Sequence, residues 1–128
     1  MRLQSAIFDM DGTLVDSMPM WRSRAGALVR SHGLVPPPDL DKRVSALSVL
    51  EGAALCKELC GLPGTPEELA EEVWGQIERF YRQEVRPKPG LIPFLSILKM
   101  EGVWMYVATA TDRPLAEAAL KTAGIDGF

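Results

Sequence analysis

Two short apolar runs, each ending in a polar cluster, constrain the fold of this chain most. Gln4–Phe8 stops at Asp9, and Val103–Ala108 stops at Thr109. Each is too short for a helix and suits a strand with both faces covered. Such strands belong to parallel sheets, whose neighbouring strands need a long helical crossover. The intervening residues supply one, with apolar positions recurring at helical spacing. The order reads strand, helical insertion, helix, strand, helix. The expected architecture is therefore α/β. A parallel-sheet core spans residues 1–16 and 87–128, and an all-helical insert spans 17–86.

Punctuation within the insert supports that reading. Ser17 can cap a first helix that tolerates Pro19 in its opening turn. Met20, Trp21, Ala25, Leu28 and Val29 follow near helical spacing, and Gly33 ends the run. Val35–Pro38 is a proline-rich break, and a weaker helical pattern resumes at Asp39. Val49–Leu59 is a better one, closed by Gly61. Thr65, Pro66 and Glu68 mark a helix start as cap, first position and capping box. Leu69, Val73, Ile77, Phe80 and Tyr81 form its apolar stripe. Arg86–Gly90 reads as the return linker. A helix over Leu91–Glu101 ends at Gly102, and Asp112 can cap a last helix that Gly124 closes.

Composition narrows the function. The chain is 47% hydrophobic and 24% charged, with a net charge of −3 and no basic block. Phosphate backbones demand clustered Lys and Arg, so no nucleic-acid partner is expected. No run approaches the ~18–20 apolar residues of a membrane span, and no cleavable leader is visible. The expected compartment is the cytoplasm. Cys56 and Cys60 share a helix face, with no further Cys or His near enough in sequence to complete a metal set. They read as small buried hydrophobes. His32, before Gly33, reads as a helix C-terminal residue rather than a catalyst.

The chemistry concentrates at Phe8-Asp9-Met10-Asp11-Gly12-Thr13-Leu14-Val15-Asp16-Ser17. In open parallel sheets ligands bind beyond the carboxyl ends of the strands, where Asp9 and Thr109 both fall. Two nearby carboxylates repel and call for a cation, and Mg²⁺ suits hard oxygen ligands and an anionic substrate. One carboxylate can attack phosphorus, and the other can protonate the leaving oxygen and then activate water. Backbone amides near Gly12 and the helix beginning at Asp112 are candidate phosphate donors, and Thr109 adds a hydroxyl.

With these motifs the chain resembles the haloacid dehalogenase superfamily, most closely the members with a helical cap such as the β-phosphoglucomutase and phosphoglycolate phosphatase group. The likeness rests on Phe8–Thr13 and on Val107-Ala108-Thr109. It implies a Rossmann-like core carrying the insert as a cap. Asp9 is then the nucleophile and a Mg²⁺ ligand, and Asp11 the general acid/base, lending its carbonyl to the metal. Gly12, Thr13, Thr109 and Ala110 bind the phosphoryl group. Asp16, Met20, Trp21 and Arg24 face the substrate, with core packing an equal alternative for Trp21. Because Asp11 is present, the resemblance implies phosphoryl transfer rather than carbon–halogen cleavage. The expected substrate is a small phosphorylated metabolite and the expected activity a phosphatase. A sugar-phosphate mutase and a non-catalytic remnant that binds a partner are the alternatives.

The family pattern continues with a Lys and an acidic pair. Lys88, Lys99 and Lys121 lie in the wrong places for the first, and Asp126 does not replace the second. The chain therefore reads as the N-terminal part of a longer protein or a truncated product. Alone it is expected to be marginally stable and nearly inactive, with an open sheet edge available for self-association.

Overall fold

The computed structural model describes residues 2–128. Ser5–Phe8 forms β1 and Trp104–Val107 forms β2. They pair in parallel, with Ser5 opposite Trp104 and Phe8 opposite Val107. The helices are α1 (Met18–Ser31), α2 (Leu40–Val44), α3 (Val49–Cys60), α4 (Pro66–Arg79), α5 (Leu91–Met100) and α6 (Arg113–Thr122), with a π-helical turn at Phe80–Glu84 after α4.

The chain separates into two compact units. One runs up to Met18 and resumes over Arg79–Phe128; the other is Pro19–Glu78. Residues 79–86, assigned to the insert from sequence, group instead with the strands. The hydroxyl of Thr122 in α6 donates to the carbonyl of Arg82 at 2.8 Å, tying the π-helical turn to the last helix.

The strand unit is built around Met10, Leu14, Val15, Tyr81, Val85, Leu95, Leu98, Ala119 and Ile125, all buried. Phe8, Met105 and Val107 meet Leu95 of α5 and Leu120 of α6 around a cavity of about 190 Å³. The opposite face is open. Ile7 is 74% exposed, Trp104 72% and Tyr106 56%. By strand alternation and register these three share that face. The expectation that both faces are covered is therefore corrected. Two strands have helices against one face only, and apolar composition does not say what lies over the other.

The helical unit packs Ala25, Leu28 and Val29 of α1 with Leu40, Val44, Ala53, Cys56, Leu69, Val73 and Ile77 as its core. Its helix ends follow local chemistry. Ser48 and Glu51 form a reciprocal capping box on α3. Thr65 and Glu68 do the same on α4, the Glu68 amide donating to Thr65 Oγ1 at 3.2 Å. Gly61 closes α3 at φ +66°, a conformation that side chains with a Cβ resist.

Two predicted caps are corrected. Asp112 makes no side-chain cap bond to α6. The Ser17 hydroxyl goes to Asp11. His32 lies just past α1 as expected, but its Nε2 pairs with Glu72 of α4 at 3.0 Å.

Candidate active site

β1 ends at Phe8, and the chain turns back on itself at once. The Met10 carbonyl accepts the amides of Thr13, Leu14 and Val15 at 3.2, 2.9 and 3.1 Å, and the Gly12 amide donates to Val15 at 3.0 Å. Gly12 sits at φ +77°, and a Cβ there would meet Met18 Cγ at 3.1 Å, so backbone and space both favour glycine. The returning segment locks the turn. Lys88 N–H donates to Leu14 and Asp16 N–H to Arg86, both at 2.9 Å.

This turn holds the two acids differently. Asp9 is exposed at the strand tip. Its carboxylate enters no hydrogen bond or ion pair among the described residues. Asp11 is half-buried and surrounded by donors. Ser17 Oγ donates to its Oδ1 at 2.6 Å. Tyr81 Oη donates to the same oxygen. Thr111 Oγ1 donates to Oδ2 at 3.2 Å. Ser17 and Tyr81 are fully buried. Asp11 thus has a fixed orientation, while Asp9 keeps its lone pairs for an incoming group.

The second strand delivers its polar end to the same place. The Ala108 amide donates to the Phe8 carbonyl at 2.8 Å, so the ladder runs past both strands. Thr109 Oγ1 accepts the Thr111 amide at 3.2 Å, which leaves the Thr109 hydroxyl hydrogen able to donate elsewhere. Ala110 is exposed in this loop. The Thr111 contact ties the loop to Asp11, so Asp9, Asp11, Thr109 and Ala110 sit on adjacent strand ends.

Within the turn the backbone amides differ in what they bond. The Gly12 and Thr13 amides are both used internally. The amides of Met10 and Asp11 find no acceptor among the described residues. Pro114 in the first turn of α6 removes one donor from that helix. Asp16 is exposed and pairs with Lys88 Nζ at 3.4 Å.

Of the residues expected to face substrate from α1, Trp21 and Arg24 have structural partners within the helical unit. Trp21 packs edge-on against Trp74 with centroids 6.3 Å apart. Arg24 lies 5.7 Å over the Trp21 ring. Its guanidinium donates to the carbonyls of Trp21, Val44 and Leu47 at 2.6, 3.1 and 3.2 Å.

Sequence reading missed Tyr81 and Thr111. Thr111 had a faint signal in Thr109-Ala110-Thr111. Tyr81 had none beyond its place in an apolar stripe.

For a cation, the hard donors present are the Asp9 carboxylate and the main-chain carbonyl of Asp11. The side chain of Asp11 already accepts three hydrogen bonds. Among the described residues no cluster of three or more His, Cys, Asp or Glu forms a metal cage. A metal that keeps several waters and shares its shell with phosphate, as Mg²⁺ does, fits such a pair of donors.

The description "haloacid dehalogenase-like hydrolase" matches residues 3–128. The chain is 25% identical over 126 residues to a phosphorylated carbohydrates phosphatase of Thermotoga maritima, covering 98% of this chain and 58% of that protein. It is 31% identical over 129 residues to hexitol phosphatase A of Escherichia coli, covering 98% and 56%. Among solved structures, a candidate β-phosphoglucomutase from Thermotoga maritima superposes with a TM-score of 0.85 at 23% identity, over 98% of this chain and 58% of that one. The chain spans little more than half the length of these relatives. Strand order, helical insert and family match agree: this chain belongs to the haloacid dehalogenase-like hydrolases, and it carries part of their Rossmann-like core together with the helical cap.

Proposed function

We propose that the protein containing this chain is a Mg²⁺-dependent phosphatase of small phosphorylated metabolites, working through an aspartyl-phosphate on Asp9. The observation that carries this reading is the contrast between the two acids. One strand-tip carboxylate is exposed and unpaired, and two positions on another is held by three hydroxyl donors. A nucleophile must be free to reach phosphorus, and a proton carrier must be aimed.

In the first step an Asp9 oxygen attacks phosphorus, the bond to the leaving oxygen breaks, and Asp11 gives that oxygen a proton. In the second, Asp11 takes a proton from water, the water oxygen attacks phosphorus, and the Asp9–phosphorus linkage breaks to release phosphate. The Met10 and Asp11 amides and the Thr109 hydroxyl donate to the phosphoryl oxygens. Mg²⁺, held by the Asp9 carboxylate and the Asp11 carbonyl, would neutralise charge on those oxygens.

The names of the relatives, a phosphorylated carbohydrates phosphatase and a hexitol phosphatase, support a sugar or polyol phosphate as substrate. The test uses the full open reading frame with Mg²⁺ and a panel of phosphorylated metabolites. Hydrolysis should fall at least ~10³-fold in Asp9→Asn, and acid-quenched wild type should carry a phosphoryl group on the peptide containing Asp9. Undiminished turnover by Asp9→Asn would exclude the mechanism. Accumulation of a bisphosphorylated sugar would instead identify a mutase.

A further inference from the structure

Among the described residues Tyr81 is the largest fully buried side chain, and it ends in a hydroxyl. It sits in the π-helical turn Phe80–Glu84, where Val85 N–H donates back to Phe80 O at 2.9 Å. Its ring packs edge-on against Phe80 at 5.7 Å. Filling the core needs only the ring. A buried hydroxyl is costly unless bonded, and this one donates to Asp11 Oδ1. Ser17 reaches the same oxygen, while Thr111 takes the other. Donors on both oxygens stop the carboxylate rotating about its terminal torsion, which is otherwise broad.

We propose that Tyr81 is a positioning residue that fixes the direction in which Asp11 faces the leaving oxygen. This rests on the proposed role of Asp11 as proton carrier. Positioning within a fraction of an ångström is what such a group needs, and buried partners on rigid elements supply it. Tyr81 contributes no atom to the reaction and acts through Asp11.

Leaving-group dependence tests the idea, because a nitrophenolate departs without a proton and an alkoxide does not. The full open reading frame is assayed with Mg²⁺ on p-nitrophenyl phosphate and on a polyol phosphate, for wild type, Tyr81→Phe and Asp11→Asn. For Tyr81→Phe, kcat/KM on the polyol ester should fall roughly 10- to 100-fold, and on the nitrophenyl ester less than about threefold. Equal losses on both esters mean ordinary structural damage and overturn the proposal, as does no loss on either. Asp11→Asn should show the same discrimination more strongly. If it does not, or if wild type cleaves neither ester, the underlying reading of Asp11 fails rather than the role of Tyr81. An NMR measurement covers the case in which Tyr81→Phe does not fold. Wild type should show an exchange-protected Tyr81 hydroxyl proton whose resonance moves in Asp11→Asn, and its absence overturns the contact.

Discussion

Single side chains here do work that their identity does not announce. Arg24, a cation that follows the Asp9–Ser17 segment in sequence, reads there as a substrate contact. Its fork instead joins three carbonyls, two of them at the end of α2 and in the segment that follows it. Hydrogen bonds from a charged donor contribute more than neutral ones, so Arg24→Met should destabilise the chain by about 2–3 kcal/mol in urea unfolding. Arg24→Lys should recover less than half, because an ammonium cannot reproduce the planar fork. A neutral Arg24→Met would return this residue to the list of ligand contacts. Cys56 is buried, and desolvation pushes its thiol up to about 11, with nearby Cys60 and Asp41 adding and Arg24 opposing. The unfolded chain loses that proton near the ordinary 9.0, while the folded chain keeps it. Stability should therefore fall as pH rises above about 9 and level off near 11. Urea midpoints across that window should fall more steeply for wild type than for Cys56→Ala. Parallel curves would mean the thiol is not the group responsible.

Elements follow local chemistry closely where they are capped and less closely where they are not. The Thr65–Glu68 box was legible because both residues stand at fixed offsets from the first helical turn, and hydroxyl and carboxylate meet the amides they should. Ser48→Ala and Thr65→Ala should each cost about 1 kcal/mol in urea unfolding, as lost N-caps do. A shift below about 0.3 kcal/mol at either site would show the box to be incidental. The π-helical turn had no such mark. Phe80 and Tyr81 continue the spacing of α4, and the turn they form is bonded to α6 through the Thr122 hydroxyl and the Arg82 carbonyl. The boundary between units falls at Arg79 rather than at the proline-rich linker. Ser17 shows the same limit: it has the residue type of a cap, but the half-buried Asp11 carboxylate takes its hydroxyl.

At the scale of the molecule the open sheet face dominates. Ile7, Trp104 and Tyr106 lie side by side and are more than half exposed. At roughly 25 cal/mol per Å² of apolar surface, covering such a face is strongly favourable. Residues 1–128 expressed alone should self-associate in sedimentation velocity as concentration rises, a second copy covering the face. Ile7→Lys with Trp104→Lys should restore the monomer. A monomer at every concentration for the unsubstituted chain would count against that expectation. The amino-acid order alone determined the two strands, the helices other than the π-helical turn, the α/β pattern with its helical insert, and the acid pair at a strand tip. Those features are marked by local pattern: periodicity, caps, a tight turn, and apolar runs of strand length. Only the tertiary structure decided what surrounds Asp11. Its donors lie 6, 70 and 100 positions away along the chain, and a hydrogen bond at such separations depends on how whole elements pack.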